Sequence, residues 1–364
     1  VTQPLVSVVL PAKDMENFIH DALSSLLIQG LSREELEVVV VDDGSTDMTA
    51  LVVEGFREAI PHLIILRNEI PQGVSAARNQ GMRAATGLAI TFLDPDDWFG
   101  PGHLRDAARD LVELEVDFVR TDHTRQTGRR RELMRTPEAR YRTRLHPLDG
   151  VCDPETSTML DYPLTGAGLY RLSLRDTGQL HFDETCATAE DREFMWRLHT
   201  TCTSYAVLAH PGFFYRRGVT GSLTSEVTSR QLGFIDAFGL ILRDIATLEL
   251  TTDARELAVT QAHLEAKAAR QFLAIANFQA VRFIDALVDA DTHNQRDEAN
   301  RLTALVLELA HRTYRFTITQ PQVGRSLERL DLPRAKRLGR LFSVADTREI
   351  SPHALVRKLT HGDA

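Results

Sequence analysis

Cysteine is nearly missing from this chain. Its three cysteines, Cys152, Cys186 and Cys202, lie far apart without metal-ligand pairing, which argues against zinc and against a disulfide framework. Long apolar runs are missing too: no stretch approaches the roughly eighteen continuous apolar residues of a membrane span, and the opening residues show no basic-then-apolar signal pattern. The expected location is therefore the cytoplasm. Positive charge is in deficit, with a formal net charge of -9 and a pI near 5.8, which argues against a general nucleic-acid binder although not against a local basic patch. No Gly-x-Gly-x-x-Gly fingerprint follows the first apolar strand, which counts against a dehydrogenase. What remains is ordinary: 43% hydrophobic and 26% charged residues over 364 positions, enough for one large domain with a substantial core plus a smaller one.

The residues that are present are organised around Leu88–Trp98. Leu88, Ala89, Ile90, Thr91, Phe92 and Leu93 read as a strand buried on both faces, because the run is apolar without clean alternation, and it stops at Asp94, Asp96 and Asp97. Ligands of parallel sheets sit beyond the carboxyl ends of strands. Two carboxylates one residue apart, with Pro95 stiffening the turn, can hold a hard divalent cation through oxygen and leave positions for phosphate oxygens. They could also simply cap the helix that follows Pro101.

The preceding chain repeats one unit. Val6–Leu10 is a strand ending at Pro11, and Phe18, Ile19, Ala22, Leu23, Leu26 and Leu27 follow at helical spacing; Leu36–Val41 and Thr49–Ala59 repeat the pattern, as do Leu63–Leu66 and Val74–Ala85. Four strand-and-helix units predict an α/β domain with a mainly parallel sheet. Each strand ends in polar residues. Asp43 could accept a hydrogen bond from a base N–H such as the uracil imide, beside Gly44 and Ser45 where the backbone can approach closely; Ser45, Thr46 and Asp47 also suit a helix cap. Arg78 and Asn79 could reach toward base or phosphate.

The segments VSVVLPAKD, VVVVDDGSTD, NEIPQGVSAARNQGMRAATG and FLDPDDW, in this order, resemble the nucleotide-sugar half of a family 2 glycosyltransferase with the GT-A fold, strongly over residues 1–100 and more loosely to Thr224. The resemblance implies an inverting sugar transferase with Mn2+ or Mg2+ and a nucleotide-sugar donor, most readily UDP-linked. It implies a donor site at Pro11, Asp14, Asp42, Asp43, Asn68 and Arg78, with the metal on Asp94 and Asp96 of an Asp-x-Asp motif. The fold it implies is a GT-A catalytic domain over 1–228, divided into a nucleotide-binding half (1–100) and an acceptor half (101–228); by their own residue pattern, helices over 229–313 and a basic segment over 314–364 are expected to follow.

In the acceptor half, Pro101–Leu114 reads as a helix, Val116–Arg120 as a strand, and Thr121–Asp149, which contains Arg129, Arg130 and Arg131, as a loop or hairpin projecting from the sheet, either solvated or meeting an anionic acceptor. Gly166 and Ala167 leave room beside a sugar, and Asp97 belongs with them as a substrate-lining residue. Glu190 and Asp191 open a helix whose buried side carries Phe194, Met195 and Leu198, and acids at a helix N-terminus are held as anions. The family's Glu-Asp pair occurs at this place in the order, so Asp191 is expected as the base and Glu190 as its neighbour. The segment HPGFFYRRGVTGSLT resembles the Tyr-Arg and Ser-x-Thr segment of teichoic acid and capsule transferases, here Tyr215, Arg216, Ser222 and Thr224, with Tyr215 on the substrate side and Arg216 and Ser222 closing on the diphosphate as a lid. The Gln-x-x-Arg-Trp motif of processive membrane synthases is missing.

From Ser229 the pattern is helical: Leu232–Leu250, Asp253–Ala290 and Gln295–Arg312, expected to form a bundle serving stability, a homo-oligomer surface or an acceptor platform. The segment from Thr313 alternates Arg and Lys with leucines and could pack, remain mobile, or rest on the inner face of an anionic membrane near lipid-linked acceptors. The expected acceptor is a cell-surface glycan or teichoic-acid-like polymer. Two other classes compete. A sugar-1-phosphate nucleotidyltransferase would need a Gly-rich triphosphate loop, where Pro11-Ala12-Lys13-Asp14 supplies only one lysine. A non-catalytic carbohydrate-binding protein on the same fold is opposed by the intact acids Asp94, Asp96 and Asp191.

Overall fold

The computed structural model describes residues 3–149, 151, 155–218, 227–248 and 254–361, the side chains of 254–258 excepted. Two compact units are present: Val1–Asp149 with Ser157–Thr185 and Glu190–Thr220, and Gly150–Thr156 with Cys186–Ala189 and Gly221–Ala364.

The first unit begins with alternating strands and helices: β1 (Val6–Ala12), α1 (Ile19–Leu26), β2 (Leu36–Asp42), α2 (Thr49–Glu54), β3 (Leu63–Arg67), α3 (Val74–Ala84) and β4 (Ala89–Phe92). Every residue of β1, β2 and β4 is buried. That explains their near-continuous Val, Ile and Leu: each fully buried side chain gains about 1.5–3 kcal/mol of transfer free energy, offset by chain entropy. β1 pairs in parallel with β2 and β4, and β2 with β3, so their carboxyl ends finish along one edge, with Ala12 opposite Asp42. Pro11 fits inside β1 because of where β4 ends. The Val9 carbonyl accepts from Leu93, and Pro11, two residues on, faces the same side with no ladder left to donate to.

The remaining strands are β5 (Trp98–Phe99), β6 (Phe118–Thr127), β7 (Arg130–Met134), β8 (Gly168–Arg171) and β9 (Tyr205–Arg217), with α4 (His103–Glu113) and α5 (Glu190–Thr201) between them. The order is β3-β2-β1-β4-β8-β6-β9-β5, with β7 paired to β6. The sheet is mixed: β8 runs antiparallel to β4 and β6, while β6 and β9 are parallel to each other. The arginine-rich stretch is the β6–β7 hairpin, but β6 itself is ten residues long and its first half lies inside the sheet, further than the short strand expected at Val116–Arg120.

In the second unit α6 (Phe234–Ala246), α7 (Ala254–Thr292), α8 (Arg296–Thr319), α9 (Pro321–Leu327), α10 (Leu332–Phe342) and α11 (Pro352–His361) follow in order. Val259–Thr292 is long and apolar enough to cross a membrane by length and composition. Here its Leu264, Ala268, Phe272, Ala276, Phe283 and Leu287 are fully buried, and α7 contacts all five other helices. From Thr313 to His361 the chain completes α8 and forms three short helices held by Leu338, Leu341, Leu355 and Leu359.

Candidate active site

The loops at the strand ends are tied to one another before any ligand is considered. Asp43 Oδ1 accepts from Asn68 Nδ2 (2.8 Å) and the Gln72 N–H (2.8 Å), and Oδ2 accepts from the Gly73 N–H (2.8 Å). Its carboxylate therefore shapes the loop that enters α3 and keeps one lone pair on Oδ2 for a base N–H. Gly73, at φ 96°, occupies a backbone region that favours glycine. Asp42 is buried, accepts from the Ser45 N–H (2.9 Å) and lies 3.5 Å from Arg67 Nε. Asp14, at φ 52°, accepts from the Thr46 N–H (2.8 Å) while its own N–H donates to Ser45 Oγ (3.0 Å). Both aspartates close loops, a role the motif alone did not reveal.

At the end of β4 the Asp97 N–H donates to the Asp94 carbonyl (3.0 Å), turning the chain so that the three acids crowd together. The Asp94 side chain is 42% exposed. Burial and the neighbouring Asp94 charge push the Asp96 carboxyl up to about 6. Asp97 is a correction: it is 1% exposed, accepts from the Arg216 N–H (2.7 Å), and is pushed well above the usual carboxylate range by burial and the charges of Asp96 and Asp94. It anchors β9 and does not line a substrate surface.

The centre of the site is Arg78 on α3. Its Nη2 donates to Asp94 Oδ1 (2.8 Å), its Nη1 to Glu190 Oε1 (3.2 Å), and its guanidinium lies over the Phe182 ring, 5.0 Å from the centroid. The side chain is buried, which would disfavour its charge, but Asp94, Glu190 and Asp191 raise its pKa above that of an ordinary arginine. One planar fork thus joins the Asp-x-Asp turn to the first residue of α5. Next to it, Asn79 Nδ2 donates to the Phe182 carbonyl (2.8 Å) and Glu184 Oε1 (2.9 Å), and its Oδ1 accepts from the Phe182 N–H (2.9 Å), fixing the chain ahead of α5. The expected reach of Arg78 and Asn79 toward base or phosphate is in fact a reach across the sheet. The signal was the Ala-Arg-Asn triplet; its partners could not be read.

Glu190 and Asp191 begin α5, directly after Ala189 at φ 61°, a strained conformation for a residue with a Cβ. Asp191 Oδ1 accepts from the Arg192 N–H (2.7 Å). Burial, then repulsion from Glu190, raises its pKa above the ordinary aspartate range, against the lowering influence of Arg192 and Arg78.

Three further expectations are corrected. Ala167 is fully buried and Gly166 is packed shut: a Cβ there would lie 2.7 Å from the Phe213 ring and 2.9 Å from the Phe92 carbonyl, so the small residues serve close packing and not substrate lining. Arg216 does not stand open toward a diphosphate. Its Nε donates to the Asp96 carbonyl (2.8 Å), its Nη2 to Asp21 (3.0 Å), and its guanidinium lies against the rings of Trp98 and Phe18. It clamps the acid turn in place. Tyr215 is half-buried beside Arg217, whose guanidinium lies 5.7 Å from its ring centroid. Ser222 and Thr224 lie outside the described residues.

Among the described residues no group of three His, Cys, Asp or Glu side chains is placed to hold a metal. Asp94 and Asp96 nevertheless fit one: they are a pair of adjacent carboxylates whose mutual repulsion is visible in the raised Asp96 pKa, and Arg78 engages only one oxygen of Asp94. Diphosphate oxygens would complete the ligand set.

Residues 7–164 match the family model described as glycosyl transferase family 2. The chain is 26% identical over 247 residues to the poly(ribitol-phosphate) beta-N-acetylglucosaminyltransferase TarS of Staphylococcus aureus, covering 67% of this chain and 41% of that protein. It is 28% identical over 193 residues to the uncharacterized glycosyltransferase EpsJ of Bacillus subtilis, covering 52% and 55%. The crystal structure of S. aureus TarS 1-349 in complex with UDP-GlcNAc has the same fold, with a TM-score of 0.63 at 20% identity over 98% of this chain and 90% of that one. The chain spans about two fifths of the full TarS length. The match to glycosyl transferase family 2 thus falls on residues 7–164, and the mixed sheet with the acid turn on its carboxyl edge has the GT-A fold that TarS shares, followed by helices.

Proposed function

We propose that this chain transfers a sugar, with inversion, from a nucleoside-diphosphate donor of the UDP class to a hydroxyl of a cell-surface glycan or polyol-phosphate acceptor. The observation that carries the reading is the Arg78 bridge, which sets the Asp94 turn and the Glu190–Asp191 pair on opposite sides of one guanidinium. The UDP-GlcNAc complex of TarS supports the donor class, and the name of TarS supports the acceptor class.

Asp94 and Asp96 would hold a divalent cation, Mg2+ or Mn2+, which when bound supplies positive charge against the departing diphosphate. Arg78 restrains Asp94 and Glu190 by donating to both carboxylates. Asp191 takes the proton of the acceptor hydroxyl as that oxygen bonds to the anomeric carbon and the carbon–diphosphate bond breaks on the opposite face. A base with a raised pKa suits this step, because it is ionised at neutral pH yet basic enough to accept a proton. Asp43 and its loop receive the base of the nucleotide.

The test is a screen of purified nucleotide sugars for slow donor hydrolysis, which needs no acceptor, with and without divalent cation. Hydrolysis of UDP-sugars only in the presence of cation is expected; equal rates after chelation would remove the cation from the mechanism. Asp191→Asn should lower transfer about 10²–10⁴-fold with donor affinity unchanged. Weakened donor binding in that variant would take Asp191 out of the base role.

A further inference from the structure

The helical unit contains a cleft of about 340 Å³ between α7, α10 and α11. Its apolar lining comes from Val281 and Ile284 of α7, Pro333 of α10 and Leu359 of α11, and its cationic lining from Lys336, Arg337 and Arg340, with Asp285 as the one acid. The two arginines are held by neutral oxygens. Arg337 Nη1 donates to Asn277 Oδ1 (2.6 Å), and Arg340 Nη1 donates to the Thr360 carbonyl (2.9 Å) and the Leu359 carbonyl (3.3 Å) at the end of α11. Among the described residues none of the three cations is paired with a carboxylate, and Lys336 is exposed. In a chain of net charge -9, α10 and α11 carry Arg334, Lys336, Arg337, Arg340, Arg357 and Lys358 and no acidic residue.

Two large apolar side chains stand in solvent nearby in the sequence. Leu332, 65% exposed, precedes Pro333, and Phe278, 58% exposed, lies one helical turn before Val281 on α7. A lining that joins three cations to four apolar side chains, flanked by exposed Leu and Phe, matches a ligand that is anionic at one end and apolar at the other. A free polyanion would leave the apolar lining and both exposed side chains without use.

We propose that this cleft binds the phosphate headgroup of an anionic phospholipid, so that the helical unit docks on a negatively charged membrane surface. The phosphate accepts from Lys336, Arg337 and Arg340, the glycerol and first methylenes rest on Val281, Ile284 and Leu359, and Leu332 and Phe278 enter the interface. The cleft is built from residues outside the transfer site, and the inference stands or falls independently of the sugar-transfer reading.

The experiment is sedimentation of the full chain with vesicles of phosphatidylcholine alone or of equal parts phosphatidylcholine and phosphatidylglycerol. Binding to the anionic vesicles only is expected. Lys336→Glu, a change of two charge units, should weaken that binding about thirtyfold at about 1 kcal/mol per charge near such a surface. Leu332→Ser should weaken it several-fold, and Arg325→Glu, an equal reversal on α9 outside the cleft, should have a clearly smaller effect. Unchanged thermal unfolding of the three variants at these surface positions excludes misfolding as the cause. The proposal is overturned by absence of vesicle binding, or by equal losses in Lys336→Glu and Arg325→Glu, which would reduce the effect to general charge attraction.

Discussion

The proposed donor edge and the proposed acceptor half are assembled in different ways. At the donor edge, Asp43 holds Asn68, Gln72 and Gly73 within 30 positions, and Asp14 holds Thr46 at a separation of 32, so each contact joins one strand-and-helix unit to the next. In the acceptor half the decisive contacts span the chain: Arg78 to Glu190 over 112 positions, Asn79 to Phe182 over 103, and Asp97 to Arg216 over 119. The first kind of contact follows from topology, since consecutive parallel strands end side by side. The second depends on how β6, β8 and β9 return to the sheet, which no local pattern encodes.

The sharpest way to break this contrast is to remove the residue where the two regions meet. Arg78→Ala leaves Asp94, Glu190 and Asp191 facing one another without their shared cation, and transfer should fall by about 10²-fold or more, the scale of a lost buried charge-assisted pair. Arg78→Lys should recover little, because an ammonium cannot span both carboxylates with fixed planar geometry. If lysine restored most of the turnover, Arg78 would be acting as a charge and not as a bridge.

A second prediction concerns pH. The Asp191 carboxyl is raised to about 6 by burial and by Glu190, so its basic form is lost below that value and transfer should fall about tenfold for each further unit of acid. Its effect on stability runs the other way. The folded chain holds this proton more tightly than the unfolded chain, so the group favours folding at low pH and that contribution is lost as pH rises from about 4 to about 6. An activity profile flat from pH 7 to pH 5 would show that proton removal by this residue does not limit transfer.

These contacts also explain what was legible in the sequence. The first four strands, their shared edge, the Asp-x-Asp turn and the acidic start of α5 could be read because apolar periodicity and strand-end acids are local signals. Gly166, Ala167, Asp97 and Arg216 were misread because the same residue types serve both a ligand and a tight junction, and only the identity of the neighbour decides. Gly166 is small because Phe213, forty-seven positions later, packs against it. Arg216 is basic because the Asp96 carbonyl and the Asp21 carboxylate need a donor.

Gly166→Ala separates those two meanings. The added methyl group meets a phenyl ring and a main-chain carbonyl inside 3 Å, so overpacking should cost about 1–3 kcal/mol of stability, with the KM for donor and acceptor unchanged in the folded fraction. A raised KM with unaltered thermal unfolding would return Gly166 to the substrate surface.

The smallest expected effect lies at the tip of the β6–β7 hairpin, and it bears on where the acceptor half stops being structure. Arg125 is paired with Glu132 (2.7 Å), and Arg131 lies over Phe214, 5.3 Å from its centroid, while Phe214 stacks on Trp98 and Trp98 lies under the Arg216 clamp. Arg129 and Arg130 extend beyond this ladder as exposed side chains. Reversing both to Glu should change stability by no more than about 0.5 kcal/mol, as for other surface positions. If the hairpin meets a phosphate-bearing acceptor, the same change should raise the acceptor KM several-fold at low ionic strength, with the difference shrinking as salt is added, because exposed charges are screened beyond about 10 Å at 0.1 M. Turnover on such an acceptor that is unaltered at low salt would leave the hairpin as a solvated edge, and the acceptor half would then end at the aromatic stack of Trp98 and Phe214.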